Sequence, residues 1–285
     1  YEISECLVGA EMCIRDRRPA SPKQFRNEKG GVLLTSGGCE ILHADCIEVL
    51  QTLAENSFDA LITDPPYSSG GQYRGDRMQS VTEKYSQSGA KAEYLKHAFE
   101  GDNMDQRAWT SWTAYWLELC RKVVKPGGVA AIFIDWRQLP ALYDAIQWGG
   151  WVVRGLIPWD KKNARPQPHR PKQQCEFIVW ASNGPLDVKR DAEYMPGLLQ
   201  GLPPSAQVRT HQTEKPLDVM RQLVHICENG GRIIDPFAGS GTTICAAYLE
   251  GFGGLGIERN KYHAEKAQER LTKIAGGGTD LWAGV

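Results

Sequence analysis

A chain of 285 residues, 41% hydrophobic and 24% charged, has globular composition and enough length to bury a core as one large or two small domains. That excludes global disorder and any need for disulfide stapling, and no run of ~18 uninterrupted apolar residues is present to span a membrane. Lys and Arg number 33 against 34 Asp and Glu, a formal net charge of −1. A basic coat is therefore excluded, and nucleic-acid contact has to rest on a local patch.

Tyr1–Arg17 has no initiator Met and none of the parts of a signal peptide. It reads as translated adapter sequence joined to a real frame, followed by a polar leader to Gly38. From Glu40 onward short apolar runs alternate with helical patterns, the signature of a mostly parallel α/β sheet. Seven strands are expected, at Glu40–Ala44, Phe58–Thr63, Val129–Asp135, Val152–Pro158, Glu176–Ala181, Arg232–Asp235 and Gly254–Glu258. Helical spacing links Trp109, Trp112, Trp116, Leu119 and Val123, then Met220, Leu223, Val224 and Cys227, and last Ala267, Leu271 and Ile274. Lys125-Pro126-Gly127-Gly128 is expected to stop the first of these helices and turn into a strand. The domain is expected over residues 39–275, with a polar insert at 68–108, a Pro/Gly-rich insert at 183–212 and a flexible tail from Gly276. The eight cysteines form no C-x-x-C pair and no Cys/His cluster with zinc spacing. They read as reduced core thiols of a cytoplasmic protein, with no metal site.

Three features carry chemistry. Asp64-Pro65-Pro66-Tyr67 follows an expected buried strand, at the strand edge where open α/β sheets bind ligands. Two prolines leave a rigid turn without N–H donors. It offers a carboxylate, outward carbonyls and an aromatic face, parts that suit a planar base with an exocyclic amine. Asp235-Pro236-Phe237-Ala238-Gly239-Ser240-Gly241-Thr242-Thr243 joins a strand to a helix, and Gly239 and Gly241 permit close backbone approach. It lacks both the third glycine of the dinucleotide fingerprint and the lysine of a phosphate loop, so a nucleoside without phosphates fits better. Glu258 ends the next strand, 19 residues past Gly239, where an acid accepts from ribose hydroxyls.

Together these features resemble the SAM-dependent DNA amino-methyltransferases, over residues 38 to 275. His211-x-Thr213-Glu214-Lys215-Pro216 is similar to that family's H-x-T-E-K-P segment, Asp45 to its acid near the SAM adenine, and Trp159-Asp160-Lys161 to its W-D-K. The catalytic box precedes the SAM box, the circularly permuted β-class order of bacterial and phage enzymes. The resemblance implies a Rossmann-like α/β fold in which the Arg232–Asp235 strand lies between Gly254–Glu258 and Phe58–Thr63. It assigns catalysis to Asp64, Pro65, Pro66 and Tyr67. S-adenosyl-L-methionine is the implied cofactor, held by Asp45, Asp235, Phe237, Gly239, Gly241, Thr242 and Glu258, with Thr213 and Lys215 added by resemblance alone. The implied partner is DNA, with no membrane contact and with room for a homodimer. Asp64 favours adenine N6 as acceptor. Cytosine N4, an RNA adenine, and a catalytically inactive binder on the same fold remain as alternatives. The prolines of Trp159–Gln174 keep a basic strip extended, and Lys161, Lys162, Arg165, Arg170 and Lys172 are candidates to track phosphates.

Overall fold

The structure is a computed structural model, and it describes residues 38–68, 104–163, 166, 168–169, 171–187, 189–203 and 214–277. Strands are β1 (Cys39–His43), β2 (Phe58–Thr63), β3 (Val124–Ile134), β4 (Val152–Asp160), β5 (Cys175–Ser182), β6 (Leu199–Gln200), β7 (Arg232–Asp235) and β8 (Gly253–Glu258). Helices are α1 (Cys46–Leu50), α2 (Gln106–Val123), α3 (Leu139–Trp148), α4 (Leu217–Leu223, extended by a 3-10 turn over Val224–Ile226), α5 (Thr242–Leu249) and α6 (Lys261–Ala275).

All eight strands form one sheet in the order β1-β8-β7-β2-β3-β5-β4-β6. Only β5 runs antiparallel to its neighbours β3 and β4. The expected placement of β7 between β8 and β2 is observed. The count is eight rather than seven, because a two-residue edge strand inside the 183–212 segment, β6, pairs with Trp159 and Asp160. A strand that short has no periodicity to read.

Both faces of the sheet are covered, so its strands read as continuous apolar runs. In β3, Val129, Ala131 and Phe133 face the layer of α4, α5 and α6, which contributes Met220, Leu223, Ile244, Ala267 and Leu271. Ala130, Ile132 and Ile134 face the other layer, with Trp109, Trp116, Leu117, Leu142 and Ile146 of α2 and α3. Helix α2 starts where Asp105 accepts from the N–H groups of Arg107 and Ala108, at 3.0 and 3.1 Å. It thus opens inside the stretch expected to be insert, whose residues 69–103 lie outside the described residues.

Lys125–Gly128 does not end α2; the helix stops earlier, at Val123, and the tetrapeptide lies within β3. Phe58 pairs with Val124 but Ala60 pairs with Val129, so β3 carries a bulge there. Asn183 fastens it: its side chain donates to the Arg121 and Val124 carbonyls at 3.0 and 2.8 Å, and its backbone bonds Gly127 and Gly128. Of the six cysteines among the described residues, five are buried.

Candidate active site

The connection leaving β7 leads to β8 on one side, and that leaving β2 leads to β3 on the other. Loops diverging in this way open a crevice at the carboxyl ends of β2 and β7. The two strand ends are stitched by a 2.7 Å hydrogen bond from Thr63 Oγ1 to Asp235 Oδ1. A cleft of about 400 Å³ lies there, lined by Asp64, Lys215, Asp235, Phe237, Gly239 and Thr242 of the expected set. Glu214, Met220, Ala238, Ser240 and Thr243 also line it. The two motifs that sequence placed 171 positions apart, at Asp64 and Asp235, therefore face one cavity.

The turn after β2 is held from outside. Trp109 Nε1 donates to the Pro66 carbonyl at 2.7 Å, and Gln138 Nε2 to the Ser68 carbonyl at 3.0 Å. Ser68 takes a positive φ of 50° and is fully buried. Inside the turn, both Asp64 oxygens are engaged: Tyr67 OH donates to Oδ1 at 2.5 Å and Lys215 Nζ to Oδ2 at 2.6 Å. Lys215 also reaches Tyr67 OH at 3.2 Å and a Glu176 oxygen at 3.4 Å. Burial pushes the Asp64 carboxyl above its ordinary range, with Lys215 and the Tyr67 hydroxyl pulling it back. Burial also acts against the charge on Lys215, but Asp64 and Glu176 outweigh it and hold the ammonium above its ordinary value.

The glycine turn is built by the acids around it. Asp235 accepts from Phe237 N at 3.1 Å, and Glu258 from Gly239 N at 2.9 Å and Asn260 N at 2.6 Å. Gly239 has a φ of 52° and open space where a Cβ would stand. Gly241 has a φ of 76° and caps α5. Arg270 of α6, which the sequence pattern did not single out, is buried and bonds Glu214 Oε1 at 3.0 Å and Thr242 Oγ1 at 2.9 Å. It ties the Glu214–Pro216 segment to the glycine turn.

Phe237 packs edge-on against Trp116, with ring centroids 5.1 Å apart. Asp45 follows β1 on the same sheet edge, where it caps α1 through Ile47 N at 2.9 Å and stands 3.8 Å from Arg259 Nε. Neither Asp45 nor Glu258 lines the cleft itself.

The basic strip is the loop of the β4–β5 hairpin, closed at its base by the pairing of Asp160 with Cys175. Because β4 runs parallel to β2 through two antiparallel steps, its carboxyl end and this loop lie at the edge that carries the cleft. Lys161 is ion-paired to Glu176 at 3.2 Å, while Lys162 and Lys172 are exposed. Arg165, Arg170 and Thr213 lie outside the described residues. Among the described residues no group of His, Cys, Asp and Glu could hold a metal ion, and no helix is long and apolar enough to cross a membrane.

This chain is similar to the type II methyltransferase M2.LlaDCHI of Lactococcus lactis subsp. cremoris, with 27% identity over 274 residues, 86% of this chain and 96% of that protein. Among solved structures it is similar to M1.HpyAVI in complex with SAM, with 27% identity and a TM-score of 0.56 over 81% of this chain and 98% of that one. The PvuII DNA methyltransferase, cytosine-N4-specific, shares the fold at 16% identity and a TM-score of 0.62 over 85% of this chain and 93% of that one. The DNA methylase family matches residues 58–269, from the first residue of β2 into α6. That span contains the catalytic-type turn, the glycine turn and the cleft between them, and the chain belongs to the DNA methylase family.

Proposed function

We propose that this protein transfers the methyl group of S-adenosyl-L-methionine to the N6 amine of adenine in DNA. The observation that carries the reading is the meeting of the Asp64 turn and the Gly239 turn in one cleft. The cleft fits the cofactor. The space above Gly239 admits a ligand against bare backbone. Asp235, Gly239 and Thr242 would hold the cofactor, with Glu258 bracing the turn on the ribose side. Bound there, it supplies an electrophilic methyl group on a sulfonium.

Adenine's amine is a poor nucleophile because its lone pair is delocalised into the ring, and a duplex hides it, so the base has to be flipped out. Asp64 and the Pro65 carbonyl accept from the amine N–H groups and draw the nitrogen toward tetrahedral geometry. Tyr67 supplies the ring on which the base stacks. The catalytic gain is positioning and preorganised electrostatics at the end of a buried strand. The Asp-Pro-Pro-Tyr box favours adenine by its resemblance to the adenine-type catalytic motif.

Incubation of the purified chain with labelled S-adenosyl-L-methionine and plasmid DNA, followed by nucleoside mass spectrometry, is expected to give N6-methyladenine. Asp64→Ala is expected to give none while binding the cofactor with unchanged affinity. N4-methylcytosine as the product, or methylation by the Asp64→Ala protein, would overturn the assignment.

A further inference from the structure

A chain of four charges leads from the basic hairpin loop to the catalytic-type carboxylate. Lys161 Nζ stands 3.2 Å from Glu176 Oε1, Glu176 Oε2 stands 3.4 Å from Lys215 Nζ, and Lys215 Nζ stands 2.6 Å from Asp64 Oδ2. Side-chain exposure is 23% for Lys161, 22% for Glu176, 9% for Lys215 and 22% for Asp64, so Lys215 is the most enclosed member. Two features make the arrangement more than a static network. First, both Asp64 oxygens are occupied by the protein's own donors, Tyr67 and Lys215. A target amine finds only the second lone pair of each oxygen while both donors stay in place, and it is accepted more strongly once one of them yields. Second, Glu176 Oε2 is buried and, among the described residues, makes no hydrogen bond; its ion pair there is the long one to Lys215. A buried carboxylate oxygen in that state gains from a closer partner.

The geometry points to Glu176 as a positioning residue that draws Lys215 off Asp64 when Lys161 is captured by a DNA phosphate. This inference rests on the reading of the protein as a DNA methyltransferase and adds the coupling between DNA contact and chemistry. With Lys161 in place the four charges sum to zero, and Glu176 is shared between two lysines. A phosphate competes for Lys161, the outermost member. Among the described residues Glu176 then has Lys215 as its remaining cation, and the 3.4 Å contact closes at the expense of the 2.6 Å one. Lys215 stays protonated and only changes partner. Asp64 Oδ2 is released to accept from the target amine, and the buried group of three is left with a net charge of −1 beside a cationic methyl donor. DNA-free protein thus keeps its carboxylate capped, and turnover is tied to engagement of the backbone.

Steady-state and single-turnover methylation of plasmid DNA, with cofactor affinity by calorimetry and melting temperature alongside, tests the relay. Glu176→Gln, which cannot draw Lys215 away, is expected to lower kcat at least tenfold with the DNA KM and cofactor affinity within about twofold. Glu176→Asp is expected to recover part of that loss. Lys161→Met is expected to raise the DNA KM and leave kcat within about twofold, because Glu176 is then committed to Lys215 from the start. The double variant is expected to keep the low kcat of Glu176→Gln. An unchanged kcat in Glu176→Gln, or a kcat lost in Lys161→Met as fully as in Glu176→Gln, overturns the relay. Should Glu176→Gln fail to fold, Lys161→Met decides alone by its split between kcat and KM. Wild-type protein that methylates no DNA would sink the functional reading itself, an outcome distinct from wild-type turnover that ignores Glu176.

Discussion

Asp235 is 1% exposed, and its carboxylate takes hydrogen bonds from the Thr63 hydroxyl and the Phe237 N–H. Burial still dominates: it raises the carboxyl from 3.8 to about 6, against the pull of Thr243, Thr63 and Phe237 and with the help of nearby Asp64. An acid whose folded-state value is raised binds its proton more tightly in the folded protein. Its stabilising contribution is therefore complete below the unfolded value and is lost as pH rises through about 6. Paired denaturant melts of wild type and Asp235→Asn at pH 7.5, 6 and 5 are expected to show the stability difference moving toward wild type as pH falls. A difference that stays flat would mean that Asp235 is not held in this state. Glu258 is the contrasting acid at the same turn. It presents both oxygens to backbone N–H groups, those of Gly239 and Asn260. Glu258→Ala removes charge-assisted bonds worth ~1.5–3 kcal/mol that hold the glycine turn, so the melting temperature is expected to fall and cofactor affinity to fall with it as the turn loosens. Unchanged calorimetric affinity would take Glu258 out of the cofactor site.

Helix α5 begins at a glycine because nothing else fits there. Gly241 has a φ of 76°, and an added Cβ would stand 2.8 Å from Ile41 Cδ1 and 2.9 Å from Ala267 Cβ. An alanine at this backbone angle costs ~1–2 kcal/mol, and crowding β1 and α6 adds ~1–3 kcal/mol. Gly239, two residues earlier, has open space instead. Gly241→Ala is thus expected to lower the melting temperature. Gly239→Ala incurs the backbone cost of its φ of 52° but no crowding, so it is expected to lower the melting temperature less and to lose cofactor affinity, because its methyl enters the cleft. Equal effects of the two on both measurements would contradict that division. Elements like this were readable from sequence because their chemistry is local: a glycine pair between a strand and a helix, or apolar runs such as Leu61–Ile62 and Val129–Ile134 buried on both faces of a parallel sheet. The motif order also placed β7 correctly between β8 and β2. What was not readable depends on partners distant in sequence. The lysine that caps Asp64 lies 151 residues away. Glu176 is one acid in an apolar strand, Arg270 one arginine in a charged helix, and neither carries a local pattern. The Lys125–Gly128 segment has the composition of a stop signal, yet Asn183 recruits it into β3 as a bulge.

At the scale of the molecule, the sheet order sets where charge can act. A net charge of −1 gives no long-range pull on DNA, so affinity has to come from cations gathered at the edge that carries the cleft. The β4–β5 hairpin loop stands at that edge, and its lysines divide by surroundings. Lys161 is tied to Glu176, whereas Lys162 and Lys172 are exposed and make no ion pair among the described residues, so they are ready to meet phosphates. Each phosphate contact on duplex DNA contributes about 0.9 to the slope of log affinity against log salt. Replacing Lys162 and Lys172 by Met is therefore expected to flatten that slope by about 1.8, measured by fluorescence anisotropy on a duplex between 50 and 200 mM salt. The set of methylated sites is expected to change less, since phosphate contacts position the protein while base contacts specify the sequence. The same double substitution should leave single-turnover rates at saturating DNA intact, because neither lysine touches Glu176 or Asp64. A slope that does not move would make the loop an ordinary solvated turn and shift the search for the DNA surface to other cations at this edge.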